Sequence, residues 1–275
     1  MARRPRVDWS KVKPSKADGV RIECNVTMRC NAECFGCNKA IGPAKFDDGE
    51  MTVEQMKKAV DQLLEQNIRV PRFTFCGGEP IMNKNLQGLI NEVDRLPTLR
   101  SGRVLTNGTP STQHLRDAII LPKRFSWIVN PLDDPNDPKS GKNDSKKRPN
   151  RRIHTPFWIS PADIGKEADY DHCTVRGWCG VGLDSTGWSM CGKAAMFGKL
   201  FGVNTTIQEG GILEHVRTPM NEICRHCQYG LVGGKSEEKE IYKRYKNGEL
   251  EPISPTFVQA FAQHKEQPLI QLRQM

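Results

Sequence analysis

Three cysteines stand close together near the N-terminus. In the run CNAECFGC, Cys30, Cys34 and Cys37 have the spacing C-x3-C-x2-C. Short spacing in a loop lets three thiolates converge on one metal centre, and soft metals and iron-sulfur clusters take thiolate ligands. A 4Fe-4S cluster usually takes four cysteines, so three leave one iron open to another ligand. The run therefore predicts a reactive iron-sulfur site, and a zinc loop is the alternative reading of the cysteines alone.

Five more cysteines form a second candidate metal site in the distal part of the chain: Cys173, Cys179, Cys191, Cys224 and Cys227. The last two make a C-x2-C pair, which is a chelating arrangement by itself. Four ligands suffice for one cluster, so the first two compete for one place unless substrate binds an open iron. A zinc site with His172 or His226 among its ligands is the alternative, because zinc takes Cys and His tetrahedrally.

Composition and charge limit the function classes. The chain of 275 residues can form one large domain, or a domain with an appendage. Part of its net charge of +9 lies in segments 1–16 and 139–152, which we interpret as a solvated tail and loop rather than a nucleic-acid surface. Neither a membrane span nor the apolar core of a signal peptide is evident. We therefore expect a cytoplasmic protein, and in that reducing compartment clustered thiols favour metal over disulfides.

Alternating strands and helices must position the cysteines. GVRIECNVTM, RFTFCGGEP, SGRVLTNGT and RFSWIVNP predict strands, and IHTPFWIS is a candidate for one more. A capping box of Thr52 and Gln55 opens a helix, and NKNLQGLINEVDRL and STQHLRDAII predict two others. This alternation predicts parallel βα units with functional loops at the carboxyl ends of the strands. Cys24 and Cys76 fall inside predicted strands, where cysteine is usually a small core residue.

In order and position these features resemble the radical S-adenosylmethionine (SAM) superfamily. Its signature is C-x3-C-x2-C in the loop after the first strand of a partial (β/α) barrel, and CGGEP at 76–80 looks like its GGE motif at the end of the second strand. The resemblance implies that Cys30, Cys34 and Cys37 hold a 4Fe-4S cluster whose open iron is chelated by SAM. Reductive cleavage of SAM would then give a 5′-deoxyadenosyl radical, which abstracts a hydrogen from substrate.

We call the segment from Cys30 to Cys37 the cluster loop. The resemblance also implies a set of cofactor-binding residues in this loop and at three strand ends: Phe35, Gly36, Gly77, Gly78, Glu79, Asn107 and Asn130. The two glycines of GGE would let the strand edge approach the methionyl amino group. The asparagine of TNG ends the third strand, and the asparagine of WIVN, at the fourth, would contact the ribose or carboxylate. Family members usually carry an aromatic residue directly before the third cysteine. Here a glycine holds that place, so Phe35, one position earlier, is the candidate for the adenine contact.

The distal cysteines carry a second resemblance. CGVGLDSTGWSMCG at 179–192 resembles the hairpin of the SPASM and twitch auxiliary-cluster domains, and ICRHCQYG resembles the C-x2-C that closes such a site. A full SPASM domain has seven cysteines and two clusters, whereas five cysteines suit one cluster, as in a twitch domain. The resemblance therefore implies a second 4Fe-4S cluster.

The sequence thus predicts an α/β fold, a partial (β/α) barrel of the radical SAM type with a small irregular cysteine-rich C-terminal domain. The expected segments are a basic lead-in at 1–18, the barrel at 19–165 with a mobile basic loop at 132–151, a twitch-like domain at 166–235, and a charged helical tail at 236–275. The expected activity is that of a radical SAM oxidoreductase or maturase, acting on a peptide, a protein or a small molecule. Flavodoxin or ferredoxin is the expected electron donor, and neither nucleic acid nor membrane is an expected partner.

Two alternatives stay open at this stage. A glycyl-radical activating enzyme would share the core, although its auxiliary cysteines usually form ferredoxin-like runs that this chain lacks. A non-catalytic zinc-binding, nucleic-acid-associated protein would explain the basic charge, but it leaves GGEP and TNG at strand ends without a purpose. No catalytic residue that touches substrate is assigned.

Overall fold

The described residues include six strands, which form one sheet in the order β4-β3-β2-β1-β5-β6. The structure is a computed structural model that describes residues 19–32, 37, 39, 49–129, 158–173, 180–207, 211–212, 221–251 and 253–266. In chain order the strands are β1 (Arg21–Thr27), β2 (Arg72–Gly77), β3 (Ser101–Thr106), β4 (Phe125–Val129), β5 (Val181–Asp184) and β6 (Gly187–Ser189). Strands β1 to β5 run parallel, and β6 returns antiparallel to β5. The predicted parallel sheet is confirmed.

Helices alternate with the first strands, as the apolar spacing predicts. Within the described ranges the α-helices are α1 (Val53–Glu65), α2 (Leu86–Asp94), α3 (Gln113–Asp117), α4 (Ala194–Phe201), α5 (Asn221–Cys224), α6 (Lys235–Lys246) and α7 (Pro255–Glu266). Helix α1 begins with the predicted capping box, in which Gln55 N donates to Thr52 Oγ1 at 3.2 Å and Thr52 N donates to Gln55 Oε1 at 2.9 Å. None of the helices in this part of the chain is both long and apolar enough to span a membrane.

The two faces of the sheet have different environments because successive side chains of a strand point to opposite sides. Ile22, Cys24 and Val26 of β1 belong to the apolar core that α1 and α2 cover, together with Phe73 and Phe75 of β2. The intervening side chains face the other way, and we call that side the inner face: Arg21, Glu23, Asn25, Arg72, Thr74, Cys76, Ser101 and Arg103. The inner face is therefore polar and charged, while the helix side is apolar.

A second apolar core lies under the C-terminal part of the chain. Phe197 and Phe201 of α4 stack with ring centroids 5.8 Å apart, and Phe257 of α7 lies 5.9 and 5.6 Å from these two rings. Trp158 and Phe261 meet edge to face in the same core. The described residues after 234 include two helices, of which α7 is a packed part of the fold because its phenylalanines are buried.

The sheet continues into the segment that the sequence assigns to the auxiliary domain. Ile22 and Cys24 of β1 pair with Val181 and Leu183 of β5, although these partners are far apart in the sequence. The domain boundaries at 165 and 235 stay a prediction. The further strand predicted at IHTPFWIS is absent from its described part, because residues 158–160 lead directly into a 3-10 helix at Pro161–Ile164. The lead-in at 1–18 and the loop at 132–151 lie outside the described residues.

Candidate functional site

Two of the three clustered N-terminal thiols meet just beyond the carboxyl end of β1. The pKa of Cys30 is raised, first by burial and further by the nearby Cys37 and Glu79. Since electrostatic coupling falls with distance, the two thiols lie within electrostatic range of each other. The Asn107 side chain is hydrogen-bonded to Cys30 and opposes the rise. Cys34, Phe35 and Gly36 lie outside the described residues.

The loop after β3 braces the start of the cluster loop. Asn107 Nδ2 donates to Asn31 Oδ1 at 2.8 Å, and Asn31 Nδ2 donates to Thr109 Oγ1 at 2.7 Å and to Ser111 Oγ at 3.1 Å. Asn107 was predicted at this position, but as a cofactor contact. Sequence reasoning missed Asn31, Thr109 and Ser111, for which the only signal is the polar run TNGTPS after the strand.

Trp158 holds the other end of the cluster loop. Its Nε1 donates to the carbonyl oxygen of Cys37 at 3.0 Å, across 121 residues of sequence. The indole ring is buried against Phe261, with centroids 5.8 Å apart and planes at 84°. No local pattern connects Trp158 with Cys37, so sequence reasoning missed this contact.

The two glycines of GGE leave room for the backbone segment that leads to Cys30. Gly77 has φ +127°, and a Cβ there would stand 2.2 Å from the carbonyl oxygen of Thr27. A Cβ on Gly78 would stand 2.0 Å from the carbonyl oxygen of Arg29. Gly78 N donates to Thr27 O and Glu79 N to Arg29 O, both at 2.8 Å. The close approach seen here is therefore between two segments of backbone, and the contact with a methionyl amino group stays a prediction.

Glu79 is an internal brace between two strand ends. Its side chain is completely buried, Oε2 accepts from Asn107 N at 2.7 Å, and Oε1 accepts from Ile81 N at 3.3 Å. Burial raises the pKa of the carboxyl group, and these hydrogen bonds limit the rise. Both oxygens are thus engaged by the chain itself, in addition to any role toward the cofactor. Asn130, predicted at the end of β4, lies outside the described residues.

The distal thiols converge as a second group. The pKa of Cys227 is raised by burial and then by Cys173, Cys191 and Cys224, and the pKa of Cys191 is raised by burial and by Cys173. Cys227 N also donates to Cys224 O at 3.0 Å, which closes a tight turn between the C-x2-C pair. Four of the five predicted ligands therefore lie together, and Cys179 falls outside the described residues.

The histidines considered as zinc ligands have other partners. His226 Nδ1 lies 2.9 Å from Ser160 Oγ, and its Nε2 accepts from Arg225 Nε at 3.1 Å. His172 Nδ1 lies 2.8 Å from Asp169 Oδ1. Both ring nitrogens of His226 are thus engaged within the protein.

The four distal thiols fit an iron-sulfur cluster as a donor set. In the part of the chain that the structure describes, no three His, Cys, Asp or Glu side chains are arranged to hold a single metal ion. Each thiolate of a 4Fe-4S cluster binds a different iron, so its four sulfurs do not need to meet at one point. The soft, thiol-only donors suit iron-sulfur chemistry.

A buried polar network connects the two cysteine groups through β1. Lys39, only 5% exposed, places Nζ 2.6 Å from Glu23 Oε1, 2.7 Å from Asn25 Oδ1 and 2.8 Å from Gly192 O. Asn25 Nδ2 donates to the same Gly192 oxygen at 3.1 Å, and Lys193 Nζ lies 3.4 Å from Glu23 Oε1. A buried charge pair needs such additional hydrogen bonds to offset desolvation.

The two lysines of this network lie close in sequence to the two cysteine groups. Lys39 follows Cys37 by two residues, and Lys193 follows Cys191 by two. Both cysteine groups also border the second apolar core, which contacts Cys30, Cys37, Cys191, Cys224 and Cys227. The two candidate cluster sites are therefore attached to one strand and to one core. The sequence analysis did not identify Lys39, Glu23 or Lys193.

The chain matches the model of a known protein family. The model described as "Radical SAM superfamily" matches residues 24–180, which is more than half of the chain. A GTP 3′,8-cyclase of Peptoclostridium acidaminophilum is 31% identical over 97 residues, which cover 35% of this chain and 29% of that protein. Molybdenum cofactor biosynthesis protein 1 of Drosophila melanogaster is 30% identical over 110 residues, covering 40% and 18%. The chain thus spans less than a third of the length of these curated relatives.

Two of the solved structures that resemble this chain have low sequence identity to it. BtrN in an open conformation has a TM-score of 0.40 at 18% identity, covering 82% of this chain and 86% of its own. SuiB of Streptococcus suis, bound to the precursor peptide SuiA, has a TM-score of 0.31 at 18% identity, covering 40% and 24%.

Proposed function

Since this chain belongs to the radical SAM superfamily, whose enzymes use a 4Fe-4S cluster and SAM, we propose that it abstracts a hydrogen atom from a substrate and that a second iron-sulfur cluster assists. When bound, the first cluster and SAM supply the 5′-deoxyadenosyl radical that takes this hydrogen. The observation that carries the proposal is that the GGE segment at the end of β2 is hydrogen-bonded to the backbone leading to Cys30, whose pKa Cys37 influences.

The chain's own residues would hold this site in shape. Cys30, Cys34 and Cys37 would provide the three thiolates, while Asn31 and Trp158 fix the two ends of the loop through their hydrogen bonds. The backbone of the GGE segment would face the methionyl group. The roles of Phe35 toward adenine, of Gly36 beside it and of Asn130 toward the ribose or carboxylate are part of the same proposal.

The second cluster would bind to Cys191, Cys224 and Cys227, with Cys173 or Cys179 as the fourth ligand. The influence of Cys173 on the pKa values of Cys191 and Cys227 supports its membership of this group. A cluster there could accept an electron from a substrate radical, which would give net oxidation, or could bind the substrate directly. We propose a twitch-like arrangement for this part of the chain.

The substrate classes that we propose are a peptide or protein and a small molecule, with flavodoxin or ferredoxin as the electron donor. The name of one curated relative, GTP 3′,8-cyclase, refers to GTP, which favours a small molecule. A glycyl-radical activating enzyme is the second candidate, since it would share the same core.

Iron content tests the two sites. Anaerobic reconstitution should give about eight irons per chain for two 4Fe-4S clusters, and about four if the distal site holds zinc. The double variant Cys224→Ala/Cys227→Ala should lose about half of the iron, and Cys30→Ala should lose the other half, so that each variant is the control for the other. An unchanged iron content in the double variant would contradict the proposed second cluster.

Formation of 5′-deoxyadenosine tests the chemistry. With dithionite and SAM, the reconstituted protein should release 5′-deoxyadenosine even without substrate, and Cys30→Ala should release none. The double variant at the distal site should still cleave SAM, because the first cluster does not depend on those thiols. A fully loaded wild-type protein that releases no 5′-deoxyadenosine would overturn the proposed function.

A further inference from the structure

A short buried segment joins the cluster loop to the part of the chain that carries the C-x2-C pair. This segment is residues 158–160, which we call the strap, and each of its three residues is at most 4% exposed. At its start, Trp158 Nε1 donates to the carbonyl oxygen of Cys37 at 3.0 Å. The strap therefore contacts one of the proposed ligands of the first cluster.

The other two strap residues contact the segment 224–228. The carbonyl oxygen of Ile159 accepts from Gln228 Nε2 at 3.0 Å, and Ser160 Oγ lies 2.9 Å from His226 Nδ1. His226 stands between the two cysteines of the C-x2-C pair, and Gln228 directly follows the second. Three consecutive residues thus reach both proposed cluster sites.

The start of α7 supports the strap. Ser254 N donates to the carbonyl oxygen of Trp158 at 3.0 Å, and Ser160 N donates to Ser254 Oγ at 2.9 Å. The ring of Trp158 also packs edge to face on Phe261, with centroids 5.8 Å apart. Helix α7 carries no cysteine, so the strap has a support outside the two cysteine groups.

The partners of His226 determine which of its ring nitrogens carries the proton. A guanidinium group only donates hydrogen bonds, so the bond from Arg225 Nε at 3.1 Å makes Nε2 the acceptor. Nδ1 then carries the hydrogen and donates it to Ser160 Oγ. The ring also stacks on Phe201 at 4.8 Å between centroids, and Phe201 ends helix α4, which begins three residues after Cys191. Two hydrogen bonds and one stacking contact therefore fix the ring.

We propose that the strap positions both cluster sites, and that Ser160 and His226 are positioning residues of the second cluster. Groups that hydrogen-bond around metal ligands orient them, and their loss weakens metal binding. Since both ring nitrogens of His226 are engaged, it acts on the neighbouring cysteines and is not a ligand itself. Its bond to Ser160 holds the turn that carries Cys224 and Cys227 against the strap. This inference rests on the proposed function, because it requires a second cluster.

Release of iron to a chelator tests Ser160 and His226. In the Cys30→Ala background the bound iron belongs to the second cluster, so its loss to excess EDTA under anaerobic conditions reports on that site alone. Ser160→Ala and His226→Leu should each release this iron faster by about tenfold or more, in line with the effect of lost outer contacts on metal affinity. His226→Asn should stay within about threefold of the parent, because its amide nitrogen can replace Nδ1 as the donor.

Two controls separate positioning from a general loss of stability. Val60→Ala opens a cavity in the apolar core under α1 and α2, and iron release should stay within about twofold of the parent although the fold is weakened. Ser236→Ala removes an exposed serine bond to the carbonyl oxygen of Gly233 and should have no effect. Release from Val60→Ala as fast as from Ser160→Ala would overturn the proposal, because a weakened fold would then explain both.

Trp158→Phe tests the other end of the strap. Phenylalanine keeps an aromatic ring in the core and removes the donor to the carbonyl oxygen of Cys37. In the Cys224→Ala/Cys227→Ala background the bound iron belongs to the first cluster. Its release should become faster by about tenfold or more, because the loop that carries the thiolate is held less firmly. Unchanged release would contradict a role of the strap at the first site.

The outcomes separate this inference from the proposed function. A reconstituted wild type with about four irons per chain would remove the second cluster, and with it the role of Ser160 and His226. About eight irons, with equal release from the parent, Ser160→Ala and His226→Leu, would overturn the inference and leave both clusters intact. Release of 5′-deoxyadenosine by the wild type is measured separately, so a failed strap and a failed radical function give different results.

Discussion

At the scale of single residues, the cysteines fall into two chemical classes. Cys24 and Cys76 are buried in the sheet, as predicted, and burial is the largest cause of their raised pKa values. Cys76 lies on the inner face, 3.3 Å from Asn25 Oδ1 and 3.6 Å from Glu23 Oε1, and its pKa is raised to about 12. These two thiols lie apart from both groups of clustered cysteines, and burial keeps them protonated.

Alkylation tests the burial of Cys76. Thiolate is the reactive form, and a pKa of about 12 leaves about one part in ten thousand of Cys76 as thiolate at pH 8. We expect iodoacetamide to leave Cys76 unmodified in the native protein at pH 8 and to modify it fully in guanidinium chloride, as measured by peptide mass spectrometry. Rapid native modification of Cys76 would contradict its burial.

The same pKa predicts a dependence of stability on pH. In the folded state Cys76 keeps its proton at pH values where the unfolded thiol, with an ordinary value of 9.0, loses it. Its contribution to stability is therefore complete below that value and declines as the pH rises above it. The difference in unfolding free energy between the wild type and Cys76→Ala, measured in urea, should shrink between pH 8 and pH 10. A constant difference would show that the unfolded and folded thiols titrate alike.

At the scale of elements, the end of β2 positions the cluster loop through contacts that need glycine. The backbone from Thr27 to Arg29 lies against Gly77 and Gly78, and hydrogen bonds from Gly78 N and Glu79 N hold it there. The first cluster site therefore depends on the fit between two strand ends as much as on its cysteines.

Substitution of Gly78 by Ala tests this fit. The added Cβ would stand 2.0 Å from Arg29 O, a backbone atom that cannot rotate away. We expect a loss of about 1–3 kcal/mol in the free energy of unfolding, as for other overpacked sites, together with a loss of iron from the first cluster. Gly49→Ala is the control, because nothing lies within 4 Å of its added Cβ. Equal behaviour of the two variants would contradict the proposed fit.

The sequence predicts those elements whose signal comes from neighbouring residues. Alternation in RIECNVT and the Thr52 capping box are properties of neighbouring residues, and the structure confirms both. The pairing of β1 with β5 and the bond from Trp158 to Cys37 join residues more than a hundred positions apart, which no periodicity encodes. The cysteine motif indicates which thiols bind metal, but the side chains that hold the loop come from other parts of the fold.

At the scale of the whole molecule, one buried network connects the two proposed cluster sites. Lys39 joins the loop after Cys37 to β1 and to the carbonyl oxygen of Gly192, which directly follows Cys191. The same ammonium group therefore contacts segments that belong to both sites. Loss of Lys39 should therefore affect both.

The variant Lys39→Met tests this coupling. Removing one member of a buried charge pair typically costs about 3–5 kcal/mol, and here it also removes the hydrogen bond to Gly192 O. We expect lower iron loading at both sites, seen by iron analysis in the Cys30→Ala and Cys224→Ala/Cys227→Ala backgrounds. Lys57→Met, at an exposed lysine paired with Asp61, should change neither. Loss of iron from only one site would contradict the coupling.

The central position of β1 in the sheet has a consequence for the newly made protein. β1 leaves the ribosome before both of its neighbours in the sheet, since β2 ends at residue 77 and β5 ends at residue 184. One edge of β1 must therefore remain open while more than a hundred further residues are synthesised, and an open strand edge can pair with another chain. Overproduction at a high translation rate should favour aggregation at this stage, and slower synthesis at lower temperature should increase the soluble yield.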